Sequence, residues 1–268
     1  MTDLEKAHDA SVSPSELGAA QTSGDWRGLW REAAQSGLLK RFMPSGFGGD
    51  AETATDFTQT MLAFGKSCPD NGVSMGLNSH VWTIQQLLVA FGSDAQKARY
   101  LPDLMSGAQI GAFALTEAGA GSDALSLSTH AVPRDGGYVL NGSKTFIGMG
   151  PVCDLAIVFA STAPEHKSWG LSAFIVEASD VGFHRLPPQE KMGLRALPMG
   201  PIELKECWVP QDRLIARAGS GARIIQTTLD WERSFILAPH VGAMARQLEA
   251  CTAFCHNREV FGQRIEGF

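Results

Sequence analysis

The spacing of the apolar residues changes twice along this chain of 268 residues. Between about residues 25 and 105 they recur at steps of three and four, the period of an amphipathic helix. Between residues 110 and 209 they form short runs separated by Gly and Pro, which is typical of strands, and from about residue 221 the helical period returns. Because no helix-length pattern separates the strands, the middle region is predicted to be antiparallel rather than built from strand–helix–strand units.

Four helices are predicted in the N-terminal region. The first begins at Asp25 and reaches Leu38, and Pro and Gly then interrupt the pattern at Met43–Asp50. The other three are predicted at Phe57–Phe64, Met75–Phe91 and Asp94–Met105. Residues 1–24 are rich in Ser, Ala and Thr and are expected to be frayed.

Turn signals separate the predicted strands of the middle region. Asp135-Gly136-Gly137 indicates a hairpin, and Asn141-Gly142, the strongest two-residue turn signal, indicates another turn. The predicted strands are Ile110–Leu115, Thr129–Val132, Tyr138–Leu140, Lys144–Ile147, Leu155–Ala160, Leu171–Val176 and Ile202–Val209.

The C-terminal region is predicted to form one long helix over Ile224–Cys255, with Pro239 as a site at which it can kink. A single helix cannot bury its apolar stripe alone. It therefore either docks on the N-terminal helices or belongs to a bundle whose other members this chain lacks. These patterns predict an α+β protein of three domains, at residues 1–109, 110–217 and 218–268.

Composition and charge exclude several classes of partner. The net charge of −6 argues against nucleic acid, which requires a concentrated basic surface. The first residues are acidic and polar, unlike a signal peptide, and no apolar run reaches membrane-spanning length. The five scattered cysteines are typical of a reducing compartment, so a cytoplasmic protein without a membrane span is predicted.

One group of residues resembles part of a metal site. Cys251 and Cys255 could share a helix face next to His256. Two ligands four residues apart, with no second pair elsewhere, more often reflect core packing. No metal site is therefore predicted.

A glycine-rich segment follows the first predicted strand. Gly119-x-Gly121-x-x-Ala124 nearly matches the dinucleotide-binding fingerprint, but a hairpin rather than a helix follows it, which disfavours that interpretation. Two alternatives remain: a structural turn at a sheet edge, and a loop that offers backbone N–H groups and hydroxyls to a flat polar ligand. The two glycines allow close backbone approach, and Thr116 and Ser122 supply hydrogen-bonding groups.

Five segments, in order and spacing, resemble motifs of the acyl-CoA dehydrogenase family. The most specific is Thr-Glu-Ala-Gly-Ala-Gly-Ser-Asp at 116–123, directly after an apolar strand. The other four are Gly37-Leu38 with Pro44–Gly49, Leu140–Ile147, Lys191–Arg195 followed by Val209-Pro210, and Arg258–Gln263. The resemblance covers roughly residues 25–268.

The resemblance implies a helical N-terminal domain, an antiparallel β-barrel-like middle domain and a C-terminal four-helix bundle, of which this chain holds the first helix. It also implies FAD between the middle and C-terminal domains, held partly by a neighbouring subunit of a homodimer or homotetramer. The implied cofactor-binding residues are Leu115, Thr116, Gly121, Ser122, Phe146, Ile147, Gly148, Arg258 and Phe261. Of these, Arg258 and Phe261 would reach the cofactor of a partner subunit, and Ser122 would also lie beside the substrate thioester.

Two residues depart from the family pattern. Phe146 stands where the family usually has Trp, which keeps an aromatic wall but loses the indole N–H. Gly148 stands where the family usually has Thr, and it lacks a hydroxyl that could bond to the flavin. Both changes predict weaker flavin binding.

The segment Asp230-Trp231-Glu232-Arg233 supplies a candidate catalytic base. Charges in this position can also be a solvated helix turn. The family places its catalytic glutamate either immediately before the Arg of this helix, where Glu232 stands, or near the end of the bundle, outside this sequence. Arg233 is expected to organise the substrate site.

The resemblance thus implies FAD-dependent α,β-dehydrogenation of an acyl thioester carried by coenzyme A or a carrier protein, in the context of fatty acid metabolism. A buried carboxylate would remove the α-proton and the β-hydride would pass to the flavin. The chain length or branching of the acyl group and the electron acceptor, a flavoprotein or oxygen, stay open. Two alternatives also stay open: a truncated, non-catalytic paralogue and a flavin monooxygenase of the same fold.

Overall fold

The computed structural model describes residues 26–268, so the predicted frayed start of the chain lies outside the described residues. The N-terminal helices are α1 (Trp26–Gln35), α2 (Ala54–Ser67), α3 (Asn71–Ser79), α4 (Gln86–Phe91) and α5 (Asp94–Met105). A π-helical segment, His80–Gln85, joins α3 to α4. The single helix predicted over residues 75–91 is therefore one helical path with a wider turn at its centre. Short 3-10 helices occur at Leu38–Lys40, Ser45–Phe47, Pro164–Gly170, Gln211–Arg213 and Ile265–Gly267.

Side-chain caps fix where these helices begin. Asp70 accepts hydrogen bonds from the first backbone N–H groups of α3, at 2.6 Å from Gly72 N and 3.1 Å from Val73 N. At α5, Ser93 and Gln96 form a reciprocal capping box. Each cap satisfies N–H groups that have no partner inside the helix.

The middle region is one eight-stranded sheet. Its strands are β1 (Gly111–Ala114), β2 (His130–Arg134), β3 (Gly137–Gly148), β4 (Leu155–Ser161), β5 (Leu171–Glu177), β6 (Phe183–Arg185), β7 (Met199–Pro210) and β8 (Leu214–Ile215). The pairing order is β6-β7-β3-β2-β4-β5-β8, and β1 pairs with β4. Most pairs are antiparallel, as predicted, but β1 and β2 each pair with β4 in parallel, so the sheet is mixed.

The turn predicted at Asn141-Gly142 is wrong. The strands predicted on either side of it form one strand, β3, which pairs with β7 along its length. The register with β7 shifts between Leu140 and Gly142, so the Asn-Gly pair marks a β-bulge. Gly142 has a φ of 155° and its Cα lies against Thr129, where a Cβ would stand 2.3 Å from Oγ1. Pairing along the whole of β7 therefore outweighs the local turn preference.

The long C-terminal helix is divided in two, α6 (Gly221–Phe235) and α7 (Ala238–Asn257). The break at residues 236–237 lies just before Pro239, where a proline interrupts the preceding turn. A two-stranded hairpin, β9 (Glu259–Val260) and β10 (Gln263–Arg264), follows α7.

One face of α7 docks on α2. Glycines allow the close approach: a Cβ at Gly65 would lie 1.8 Å from the carbonyl oxygen of Pro239, and one at Gly242 would lie 1.9 Å from that of Leu62. The opposite face carries apolar residues that are exposed in the described chain, namely Val241, Met244, Leu248 and Phe254. The helix therefore packs on the N-terminal helices with one face only.

Across residues 26–268, no helix combines the length and apolar character that crossing a bilayer requires. The same part of the chain contains no group of three or more His, Cys, Asp or Glu side chains that could hold a metal ion, and Cys251 is exposed.

Candidate active site

A cleft of about 300 Å³ lies where the helical region meets the sheet. Its walls come from α3 and the π-helical segment, from the end of β1, from the end of β3 and from α6. Six residues predicted for the site line this cleft: Leu115, Thr116, Phe146, Ile147, Gly148 and Glu232. Segments from residue 75 to residue 232 are thus brought to one cavity.

Leu115 and Thr116, directly after β1, supply the first wall, and a tight turn follows them. Glu117 and Ala120 exchange backbone hydrogen bonds of 3.1 Å across Ala118-Gly119. Thr145 N of β3 donates to Thr116 O at 2.9 Å, which ties this loop to the neighbouring strand. Gly121 is exposed at the tip of the loop, and a Cβ there would meet no atom of the chain within 4 Å. The backbone at this tip is therefore accessible to a ligand.

A buried ion pair holds the loop against β3. Lys144 has no exposed surface, and its Nζ donates to Glu117 Oε1 at 2.7 Å and to Leu115 O at 3.1 Å. Glu117 also accepts from the backbone N–H and the hydroxyl of Ser128 and of Thr129, at 2.6–3.0 Å. Burial raises the pKa of Glu117, but these donors outweigh it and lower the pKa to about 2. The carboxylate is therefore ionised with every oxygen satisfied.

The sequence interpretation missed this pair, although Glu117 and Lys144 both stand inside the motifs that were recognised. The available signal was that one of these motifs contains an acidic residue and the other a basic residue, and that both motifs were expected at the same site.

The end of β3 supplies the second wall. A bulge between Lys144 and Ile147 shifts the register with β7, and Phe146 within it has a φ of 57°. The ring of Phe146 is consequently turned outward and is 59% exposed, while Ile147 is buried. At Gly148 a Cβ would meet nothing within 4 Å. The two departures from the family pattern thus lie side by side on an open wall.

Glu232 faces these strands from α6. It is half-buried, and burial raises the pKa of its carboxyl above the ordinary value, with Arg233 offsetting part of the effect. Arg233 itself is exposed and does not line the cleft. A carboxylate with a raised pKa in a partly dehydrated cleft can accept a proton from a bound ligand.

His80, which the sequence interpretation also missed, lines the same cleft. It is buried, its Nδ1 accepts a hydrogen bond from Gly111 N at 3.4 Å, and its ring packs edge-on against Trp30 at 4.9 Å. Burial lowers its pKa to about 4, so the imidazole is neutral. It adds no positive charge beside Glu232.

The remaining predicted residues lie elsewhere. Ser122 lines a neighbouring cleft of about 520 Å³, together with Trp169 and Arg223 of the first turn of α6. Arg258 and Phe261 lie at the hairpin after α7, and both are exposed in the described chain. Their contact with the cofactor of a partner subunit stays a prediction.

Comparison with known sequences and structures decides the family. The profiles described as acyl-CoA dehydrogenase N-terminal, middle and C-terminal domain match residues 7–108, 112–207 and 219–268 in turn. The chain belongs to the acyl-CoA dehydrogenase family. The resemblance recognised in the sequence motifs is thereby confirmed, as is the fold of a helical N-terminal domain, a middle β-sheet domain and a short C-terminal helical region.

Individual members of the family are similar over most of this chain. An L-prolyl-[peptidyl-carrier protein] dehydrogenase of Pseudomonas fluorescens is 35% identical over 88% of this chain and 62% of its own length. The mitochondrial isovaleryl-CoA dehydrogenase of Pongo abelii is 33% identical over 90% of this chain and 57% of its own. A solved structure, the FAD complex of PigA, is 32% identical and matches all of this chain and 72% of its own with a TM-score of 0.93. This acyl-CoA dehydrogenase chain thus spans about 60% of the length of the curated relatives it matches.

Proposed function

We propose that this chain takes part in the FAD-dependent α,β-dehydrogenation of an acyl thioester, with Glu232 as the catalytic base. The observation that carries the proposal is the position of Glu232, which lies across one cleft from the backbone of Leu115-Thr116 and from Phe146–Gly148. The similarity to a structure determined with FAD supports FAD as the cofactor. The similarity to dehydrogenases that are named for carrier-protein and coenzyme A substrates supports the reaction.

The residues of the open wall fit a flat aromatic cofactor. The exposed ring of Phe146 can pack against a ring system, and the space above Gly148 is one that a Cβ would enter. Backbone groups of Leu115 and Thr116, fixed by the bond from Thr145, can hydrogen-bond to its polar edge. When bound, FAD would supply the acceptor for the hydride that leaves the β-carbon.

Glu232 would remove the α-proton. Its raised pKa brings the carboxyl closer to the neutral range in which a general base works best. Since His80 is neutral, it adds no positive charge to the cleft that would lower the basicity of this carboxylate. Arg233, exposed beside it, would orient the substrate from outside the cleft.

The carrier of the acyl group would enter past Ser122. The neighbouring cleft combines the Ser122 hydroxyl, the Arg223 guanidinium and the exposed Trp169 ring with the carboxylate of Asp123, and Arg223 is the lining group that can bind an anionic carrier group. Coenzyme A and a phosphopantetheine-bearing carrier protein both present one. We propose that carrier-bound prolyl and isovaleryl-CoA are the first two substrates to compare, because the relatives carry those names.

The experiment is flavin reduction in the absence of oxygen, with each substrate, in the wild-type chain and in Glu232→Gln. The substitution keeps the size and removes the basicity, so reduction should slow by about 10²–10⁴-fold while FAD retention is unchanged. Asp230→Asn, an exposed carboxylate two residues away on the same helix, is the matched control and should reduce at the wild-type rate.

Two results would contradict the proposal separately. If Glu232→Gln bleaches the flavin at the wild-type rate, the base lies elsewhere and Glu232 is a helix-terminal charge. If the wild-type chain retains no FAD at micromolar concentration, the cofactor assignment fails for this chain.

A further inference from the structure

The junction between α6 and α7 leaves two backbone carbonyls without a helical donor. In an uninterrupted helix the carbonyl of Phe235 would accept from residue 239, but Pro239 has no N–H. The carbonyl of Ile236 would accept from His240, yet His240 N donates instead to Leu237 O at 3.0 Å. Two acceptors beside a buried proline therefore need a donor from another element.

Asn78 of α3 supplies that donor. Its Nδ2 lies 3.1 Å from Phe235 O and 3.0 Å from Ile236 O. Its Oδ1 accepts from the indole Nε1 of Trp82 at 2.8 Å, which fixes the orientation of the amide. Asn78 is completely buried, and both ends of its side chain have hydrogen-bond partners. Its Nδ2 bonds to a carbonyl about 157 residues further along the chain, and its Oδ1 bonds to Trp82, one helical turn away.

The same cluster reaches the turn that carries Glu232. The ring of Trp82 stacks on Trp231 at 5.6 Å with an interplanar angle of 10°, and on Phe235 at 4.7 Å and 24°. Trp231 directly precedes Glu232, and Ile236 N donates to Glu232 O at 2.7 Å to close the last turn. Asn78 therefore binds the C-terminal end of α6 through hydrogen bonds, and the stacking of Trp82 on Trp231 and Phe235 fixes the rotation of the helix.

We propose that Asn78 is a positioning residue for the catalytic base: it holds the last turn of α6 so that Glu232 faces the cleft. This inference rests on the proposed function for its catalytic consequence, but the positioning itself is a property of the chain without cofactor. Asn78 does not line the cleft and touches no reacting group. It acts through the carbonyls of Phe235 and Ile236.

The primary variant is Asn78→Leu, which keeps the branched side chain of four heavy atoms, at a somewhat larger volume, and removes the amide. Gln85→Leu is the matched control, because Gln85 is an equally buried amide on the same helical path whose side-chain atoms have no hydrogen-bond partner in the described residues. Asn78→Leu should lower kcat for flavin reduction by about 10–100-fold, the cost of a displacement near 1 Å, with KM within about threefold. Gln85→Leu should leave both within about twofold of wild type.

Two readouts do not depend on activity. In FAD-free protein, the Glu232 side-chain carboxyl should titrate by ¹³C NMR closer to an ordinary glutamate in Asn78→Leu than in wild type, because a loosened turn exposes it. The near-ultraviolet circular dichroism of the stacked Trp82–Trp231 pair should weaken while the far-ultraviolet spectrum is kept. Pro239→Ala, added to Asn78→Leu, returns an N–H to position 239 and should recover part of both signals.

The outcomes separate this inference from the proposed function. Altered Glu232 titration in Asn78→Leu, combined with a Glu232→Gln variant that still reduces flavin, would retain the positioning role and remove the catalytic one. If Asn78→Leu matches Gln85→Leu in titration, circular dichroism and rate, Asn78 is only a buried cap and the inference is overturned. Should Asn78→Leu fail to fold, Trp82→Phe, which keeps one six-membered aromatic ring but removes the N–H that orients Asn78, must move the titration the same way or the inference falls.

Discussion

The two walls of the cleft are held by different physics. The sheet wall depends on a buried ion pair, Glu117–Lys144, in which the carboxylate receives five hydrogen bonds. The helical wall depends on aromatic stacking between Trp82 and Trp231 and on one neutral amide, Asn78. The first arrangement concentrates charge in a dry site, whereas the second distributes weaker contacts over a larger surface.

The two walls therefore differ in how much stability each loses when one contact is removed. A buried charge pair tolerates almost no loss of a partner, because the remaining charge cannot be solvated. Stacked rings and a capping amide carry no net charge, so the loss of one contact leaves no unpaired buried charge and costs less. The sheet wall is therefore expected to be rigid, and the wall that carries Glu232 to be the adjustable one.

The largest effect is expected from Glu117→Gln. The substitution neutralises the carboxylate, leaves the fully buried Lys144 without a counter-ion and points an amide N–H₂ at the donors of Ser128 and Thr129. The free energy of unfolding should fall by about 3–5 kcal/mol, measured by urea denaturation. Glu165→Gln, at an exposed glutamate paired with His166, should change it by less than about 0.5 kcal/mol. A loss below 1 kcal/mol for Glu117→Gln would show that the sheet wall does not depend on the ion pair.

The pH dependence of stability should reveal the same pair. The pKa of Glu117 is lowered from 4.5 to about 2, so the folded state keeps the carboxylate charged where the unfolded state takes up a proton. The stabilisation is complete above about pH 5 and is lost as the pH falls towards 2, by about 3 kcal/mol in all. Urea denaturation at pH 6 and at pH 3 measures most of this change, about 2 kcal/mol. The part due to Glu117 should be missing from Glu117→Gln, and an identical pH dependence in both proteins would assign it to other groups.

The sequence records parts of both walls but not the contacts that hold them together. The two motifs that contain Glu117 and Lys144 are recognisable in the sequence, but the ion pair joins residues 27 positions apart and was missed. Asn78 acts on carbonyls about 157 positions away, and no local pattern records that contact. The same reasoning explains the error at Asn141-Gly142, where the local turn preference is real but pairing with a distant strand, β7, decides the conformation.

The smallest of these effects is expected from Trp231→Leu on the helical wall. Trp231 is half-buried and contacts the rings of Trp82, Phe42 and Phe235 at 5.6–5.8 Å, so leucine removes the stacking but keeps an apolar contact. The free energy of unfolding should fall by about 1–2 kcal/mol in urea denaturation. Trp169→Leu, at a tryptophan that is 80% exposed, is the control and should cost less than about 0.5 kcal/mol.

The size of this loss relative to Glu117→Gln tests the comparison of the two walls directly. If the helical wall is the adjustable one, Trp231→Leu should increase amide hydrogen exchange in the last turn of α6 while leaving β3 protected, because a weak contact opens locally before the whole protein unfolds. If Trp231→Leu instead costs as much as Glu117→Gln and exposes β3 together with α6, the two walls unfold as one unit. Stacking would then be as decisive for the cleft as the buried charge, and Glu232 would stand on a wall as rigid as the one it faces.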